Sequence, residues 1–250
     1  MKYEKTQKGN PYQLTVCQHT FPVASIARFA DTDGRVEVYL IKQKKVIRLK
    51  PDDQLFCAKR IWDQRAESGF MKEIEDKYQL LAEAVVDGKR NLNAEEQQII
   101  TDMFAVWNIR EHRRISPISD QKIEGIIDVA RNYTKDEQEL LEKNHIGCIR
   151  PDFSMAGRHL AGLNMQLNLF RVREQMRDAQ WGVLTALEGK FIVPDNFSNA
   201  RILPLTPELC FFSQSYDDEI DKNEVIKINK LAVKSSRSFY FSRNLDECPQ

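Results

Sequence analysis

Hydrophobic positions along this chain change period twice, dividing it into strand-like ends and a helical middle. Near the start, apolar residues alternate with polar ones. Residues 12–17 read as a short strand, and Pro22 opens a short helix over 23–29, since proline is tolerated in a first turn where its missing N–H costs nothing. After the turn Asp31-Thr32-Asp33-Gly34, residues 35–41 and 45–50 are rich in β-branched side chains and alternate with charge. Joined by Lys42-Gln43-Lys44, they predict a β-hairpin whose lysine-bearing second strand suits a solvent-facing sheet edge.

From Gly69 the spacing turns helical. Met71, Ile74, Tyr78, Leu81 and Val85 form one stripe. Asn93 with Glu96 makes a capping box for a long helix that carries Ile99, Ile100, Met103, Phe104 and Trp107 and ends near Arg114, before Pro117. Two more helices are expected over 120–131 and 134–144, the second stopped by Gly147. Ser154 reads as the cap of another, with its stripe at Leu160, Leu163, Leu167 and Phe170 and an Arg/Glu-rich continuation over 171–177. Strands then return. Residues 181–187 and 190–193 predict a hairpin about Gly189, and 209–213 a third strand. An acidic loop at 217–224, a helix at 225–235 and a closing strand at 239–241 complete the chain.

No repeat or low-complexity linker interrupts this order. The expected architecture is one α+β domain over 1–250. A mixed or antiparallel sheet built from the N-terminal strands (12–50) and the C-terminal strands and helix (180–245) carries a long helical segment (70–178). Residues 1–11, polar and ending in Gly9-Asn10-Pro11, read as a frayed arm.

Composition narrows the function classes. With 250 residues and a hydrophobic fraction of 42%, the chain can offset its ordering entropy with a core. Lys plus Arg equals Asp plus Glu at 37 each, so there is no whole-molecule pull toward nucleic acid or anionic lipid. No apolar run reaches bilayer length and the first residues carry no apolar leader core, so a cytoplasmic protein without a membrane partner is expected. The five cysteines stand far apart without a Cys-x-x-Cys pair, a pattern of idle thiols rather than of zinc ligands or staples.

Four places can carry chemistry. His19 ends a strand just before a helix start, where an imidazole and free amide donors meet. Glu75 lies one residue from the core-facing Ile74 and can shelter in a groove as a base or cation ligand; the plain alternative is a solvated helix face. Arg110, Arg113 and Arg114 close the Trp107 helix, where the dipole alone favours cations. With Arg171 and Arg173 they can build a phosphate- or nucleic-acid-binding face. Asp195 follows the apolar run Phe191-Ile192-Val193-Pro194, so a strand would fix its backbone while the carboxylate projects; Asp-Asn is equally a common turn. No Gly-rich phosphate loop, His-Glu-x-x-His or Gly-x-Ser-x-Gly is present.

Several of these segments occur together in a known order. His19-Thr20-Phe21-Pro22, followed by Ile26-Ala27-Arg28-Phe29 and an Asp-Gly turn, resembles the opening of a bacterial family known as domain of unknown function 4238. Trp181-Gly182-Val183-Leu184, Phe191 to Asn196 and Pro204-Leu205-Thr206-Pro207 are similar to that family's ending. Val23 and Phe197 stand where the family carries Gln and Pro. The resemblance implies a converging set of His19, Glu75, Arg110 and Asp195 and, by analogy with accessory genes of mobile elements, a role in phage defence or as a toxin. The expected activity is metal-dependent phosphoester hydrolysis, as by a nuclease. Asp195 and Glu75 would hold Mg²⁺ or Mn²⁺, His19 would act as base or third ligand, and Arg110 would stabilise phosphate charge. The alternatives are a non-catalytic subunit docking a partner protein encoded in the same operon, and a nucleotide-sensing module using Arg110 and Arg171.

Overall fold

A computed structural model describes residues 3–125, 131–196 and 201–250. The architecture is α+β, and the strands from the two ends of the chain do meet. In chain order, β1 (Cys17–His19) leads through Phe21 to α1 (Val23–Ala27), and the hairpin is β2 (Val36–Leu40) with β3 (Lys45–Leu49). Next come β4 (Cys57–Lys59), α2 (Gln64–Ser68), α3 (Phe70–Val86) and α4 (Ala94–Ile115). The middle continues through β5 (Gln121–Lys122), α5 (Lys135–Lys143), β6 (Ser154–Met155) and α6 (Gly157–Gln175). The last part holds β7 (Trp181–Ala186), β8 (Val193–Pro194), β9 (Ile202–Pro204), β10 (Leu209–Ser213), β11 (Asp218–Ile220), α7 (Lys222–Ser235) and β12 (Phe239–Ser242).

One antiparallel sheet runs β3-β2-β12-β8, so the closing strand lies between the N-terminal hairpin and the strand before Asp195. As expected, the lysine-bearing β3 is its edge. A second sheet, β11-β7-β10-β9, uses C-terminal strands alone and is mixed, because β11 joins β7 in parallel. Two ribbons, β1-β4 and β5-β6, complete the pairing.

Helix α4 is the axis of the helical layer. Its capping box forms as the Asn93 and Glu96 spacing requires. Every residue from Ile100 to Trp107 is buried, so its centre is enclosed on all sides, as a helix flanked by α3 and α6 must be. Phe21, just past β1, stacks on Trp107 at 3.8 Å between ring centroids. That contact fixes the β1-β4 ribbon against α4. Truncating Trp107, 1% exposed, would cost about 3–5 kcal/mol.

Several expectations fail locally, each for a physical reason. Residues 3–11 are not a frayed arm: Glu4 is ion-paired to Arg158, Arg150 and Lys135, and the Gln7 amide donates to Glu139 at 2.9 Å. The strand expected at 12–17 is displaced to β1, because Asn10 bonds both ways with the Leu14 backbone and curls the preceding segment. Where a helix was expected over 120–131, Gln121–Lys122 pairs with β6 and a turn follows; residues 126–130 lie outside the described residues. Ser154 therefore belongs to a strand, its hydroxyl bonded to Asp152, and α6 starts later.

On α6 the buried face is Ala161, Gly162, Met165 and Leu169, while Leu163, Leu167 and Phe170 face outward. Small residues won the inner face because α6 lies close to its neighbours; a Cβ on Gly162 would meet the Asp63 carboxylate at 2.2 Å. The hairpin about Gly189 is absent, since β7 and β8 enter different sheets. The acidic loop is instead β11 followed by the Asp221–Glu224 capping box of α7.

Candidate functional site

Two polar centres lie along the C-terminal half of α4, and the strand β4 touches both. The first surrounds His19. In the β1-β4 ribbon Cys17 faces Lys59 and His19 faces Cys57. Since alternate residues share a face, all four side chains project together. Cys17 and Cys57 form a disulfide with Cα atoms 5.3 Å apart, and the His19 ring nitrogens lie 3.6 and 3.8 Å from the Cys57 sulfur. The expectation of idle cysteines fails for this pair. Residues 40 apart in sequence are brought opposite by strand pairing that spacing alone does not reveal.

Behind His19, Arg110 points inward from α4. Its guanidinium pairs with Glu75, its Nε contacts the Met71 sulfur at 3.4 Å, and it lies over the Trp62 ring at 5.9 Å. Trp62 in turn donates its indole N–H to Glu67. Burial lowers the His19 pKa, with Arg110 acting in the same sense and Glu75 and Asp52 opposing, so the imidazole is neutral near pH 7. Burial likewise raises the Glu67 carboxyl, with Arg110 pulling it back. Three of the four residues expected to converge, His19, Glu75 and Arg110, are therefore one electrostatic neighbourhood.

Asp195 is committed elsewhere. Its carboxylate accepts from the backbone N–H groups of Arg237, Ser238 and Phe239 at 2.8, 2.8 and 3.3 Å, tying the end of β8 to the start of β12. Its charged neighbour is Arg114 at 3.7 Å, which is also held by Glu111. The strand does fix the Asp195 backbone as expected, but the side chain turns into a loop that needs acceptors. With Glu75 spent on Arg110 and Asp195 on amides, the donor set does not fit Mg²⁺ or Mn²⁺. Among the described residues, the one group of three metal-ligating side chains within 4.8 Å of one another is Cys17, His19 and Cys57.

The arginines expected to make one basic face point to separate partners. Arg110 and Arg114 are paired as above, and Arg113 donates to Asn164 at 2.6 Å. Arg173 grips Asp102 in two bonds of 2.7 Å, while Arg171 reaches the neutral Asn168. Arg110 pairs across to α3, Arg113 and Arg173 tie α4 to α6, and of the five only Arg114 lines the cavity described next.

The second centre is a cavity of about 520 Å³ lined by Arg60, Arg114, Arg150 and Arg158 together with Glu4 and Asp120. Arg60 follows β4 directly and takes a left-handed backbone (φ 50°) that a non-glycine residue adopts at a cost. Gln18 holds that bend, accepting from the Ile61 and Trp62 amides and donating to the Trp62 carbonyl. The Arg60 side chain is buried and donates to Glu142 at 2.6 Å and to the Glu4 carbonyl at 3.0 Å, while its Nε has no partner. Arg158 shares Glu142 at 2.9 Å, and Arg150 is held by Asp120.

The Glu4 carboxylate sits on Arg158, Arg150 and Lys135. Burial would raise its pKa, but Arg158 and Lys135 outweigh that and hold it down at about 2. Sequence reasoning passed over this cavity, although one signal was present. Arg158 stands in the first turn of α6, where the helix dipole disfavours a cation, so a local anion had to be close.

No protein-family model, curated protein or solved structure matches the chain. Of the four residues expected to converge, His19, Glu75 and Arg110 share one neighbourhood and Asp195 stands apart.

Proposed function

We propose that the chain binds a small phosphate-bearing ligand, of nucleotide size, in the arginine-lined cavity, and that it acts as a cytoplasmic ligand-sensing module. The observation that carries this reading is Arg60, a buried arginine on a strained backbone, its Nε unpartnered within the wall, lining a cavity in which a carboxylate already rests on two more guanidiniums. Strain and an unmet buried donor are costs that a fold keeps where a ligand repays them. Guanidinium forks match the paired oxygens of a phosphate better than ammonium groups do, and these come from three separate parts of the chain. A volume of about 520 Å³ lies within the range of small-molecule sites.

The test is calorimetric titration and thermal melting of the full chain with ATP, GTP, pyrophosphate and inorganic phosphate, on wild type and on Glu4→Gln. Saturation at a hundred times Kd stabilises the folded state by about 2.7 kcal/mol, a plain rise in Tm. Arg150→Ala, at a partly exposed position, should weaken binding about tenfold or more through one lost charge-assisted bond. If none of the four compounds binds either protein at millimolar concentration, the reading is wrong. Binding of a single-stranded oligonucleotide in their place would replace it with backbone recognition.

A further inference from the structure

The ribbon β1-β4 carries a second site that does not depend on the arginine cavity. We propose that, once the Cys17–Cys57 bond is reduced, Cys17, His19 and Cys57 hold a zinc ion, so that this ribbon is a redox-controlled metal site. Two thiolates and an imidazole are the nitrogen and sulfur donors that zinc prefers over harder cations. Strand register places all three on one face, with ligand atoms within 4.8 Å of one another. Tetrahedral zinc with bonds of about 2.0–2.3 Å sets its ligands roughly 3.5–3.8 Å apart. The separations of 3.6 and 3.8 Å between the His19 nitrogens and the Cys57 sulfur already match. The two bonded sulfurs must part, and each sits on its own strand, so rotation about their side-chain bonds supplies the movement. The fourth position is left to solvent.

The ribbon has a reason to need such a tie. A two-stranded pair is marginal alone, and the two cysteines of this one stand 40 positions apart in sequence. Disulfide and metal are two ways to close the same contact. The exchange balances with a dithiol as reductant. The disulfide takes two electrons and two protons from the dithiol, which closes to its own disulfide. Zinc then displaces the two thiol protons to solution, because only thiolates ligate. His19 contributes a ring nitrogen lone pair and no proton.

The experiment uses the full chain, oxidised or reduced with a phosphine that does not itself compete for metal, and Co²⁺ as the spectroscopic probe. Reduced wild type should take up cobalt with thiolate charge-transfer absorption that added Zn²⁺ abolishes; the oxidised chain should show neither. Cys57→Ser and His19→Ala should weaken cobalt binding by more than about a hundredfold, beyond what even an outer-sphere partner costs. Should either variant fail to fold, alkylation of reduced wild type decides: zinc should protect Cys17 and Cys57 and leave Cys148 unchanged. Reduced wild type that binds no cobalt, or zinc that leaves Cys17 and Cys57 as reactive as before, overturns the proposal and leaves the pair a structural crosslink.

Discussion

Arg110 and Arg60 are almost equally buried, 2% and 4% exposed, yet they do opposite things. Arg110 leaves a regular helix and spends itself on Glu75, the Met71 sulfur and the Trp62 face, which leaves it no room for a ligand. Arg60 is held on a left-handed backbone, keeps one donor unmet and opens onto a void. Burial of a charge therefore says little about function. What distinguishes the two is whether the surroundings complete the guanidinium or leave it waiting. By that measure the Arg110–Glu75 pair behind His19, toward which the sequence motifs pointed, is a finished structural unit. The arginine cavity, which no motif marked, is the unfinished one.

The comparison breaks most readily at Arg110. Removing one member of a buried ion pair leaves the other without compensation, so Arg110→Ala should lower stability by about 3–5 kcal/mol in urea unfolding. Phosphate binding by the molecules that remain folded should not change. If the variant instead unfolds like wild type and loses ligand, the roles of the two arginines are reversed. Asp195→Ala comes next, at about 2–3 kcal/mol, because three backbone amides lose their acceptor and water recovers only part of the loss. Asp195→Asn keeps one acceptor oxygen and should recover part of that stability. Asp195 reaches the cavity only through Arg114 at 3.7 Å, so ligand affinity should change little, and a large binding defect in Asp195→Asn without a stability defect would return Asp195 to the list of functional groups. Arg150→Ala sharpens the other side. Its partners Glu4 and Asp120 are themselves partly exposed, so stability should fall by no more than about 1 kcal/mol while phosphate affinity drops.

The frame of the molecule was legible because it depends on period and capping. Met71 to Val85, the Asn93 box and the hairpin about Lys42-Gln43-Lys44 each carry their instructions locally, and each formed where expected. What failed was decided at a distance. The α6 stripe of Leu163, Leu167 and Phe170 is the more hydrophobic face, but close packing selected the face with Gly162, a preference that no count of apolar residues contains. The candidate site divides in the same way. His19, Glu75 and Arg110 were candidates one by one from strand ends and helix faces, and only the family resemblance grouped them. Cys17 with Cys57, and Glu4 with Arg150 and Arg158, meet only through long-range pairing. Asp195 was placed correctly on a strand end and misread in role, since the amides of residues 237–239 that claim it arrive from a segment far along the chain.

The smallest effect concerns Glu4 and tests whether the cavity is waiting for an anion at all. Its pKa lies at about 2 in the folded chain, below an ordinary value of 4.5. A depressed carboxyl contributes stability in full above its unfolded value and loses it as pH falls through its folded one. The stability difference between wild type and Glu4→Gln should therefore be flat above about pH 4.5 and shrink toward pH 2. With a third of the side chain exposed, its plateau should stay near or below about 1 kcal/mol. The same substitution acts in the opposite direction on the ligand. A carboxylate seated on Arg150 and Arg158 competes with phosphate for those donors, so Glu4→Gln should bind pyrophosphate more tightly than wild type while being slightly less stable. A variant that loses both stability and binding would mean that Glu4 belongs to the site's framework rather than occupying its ligand's place.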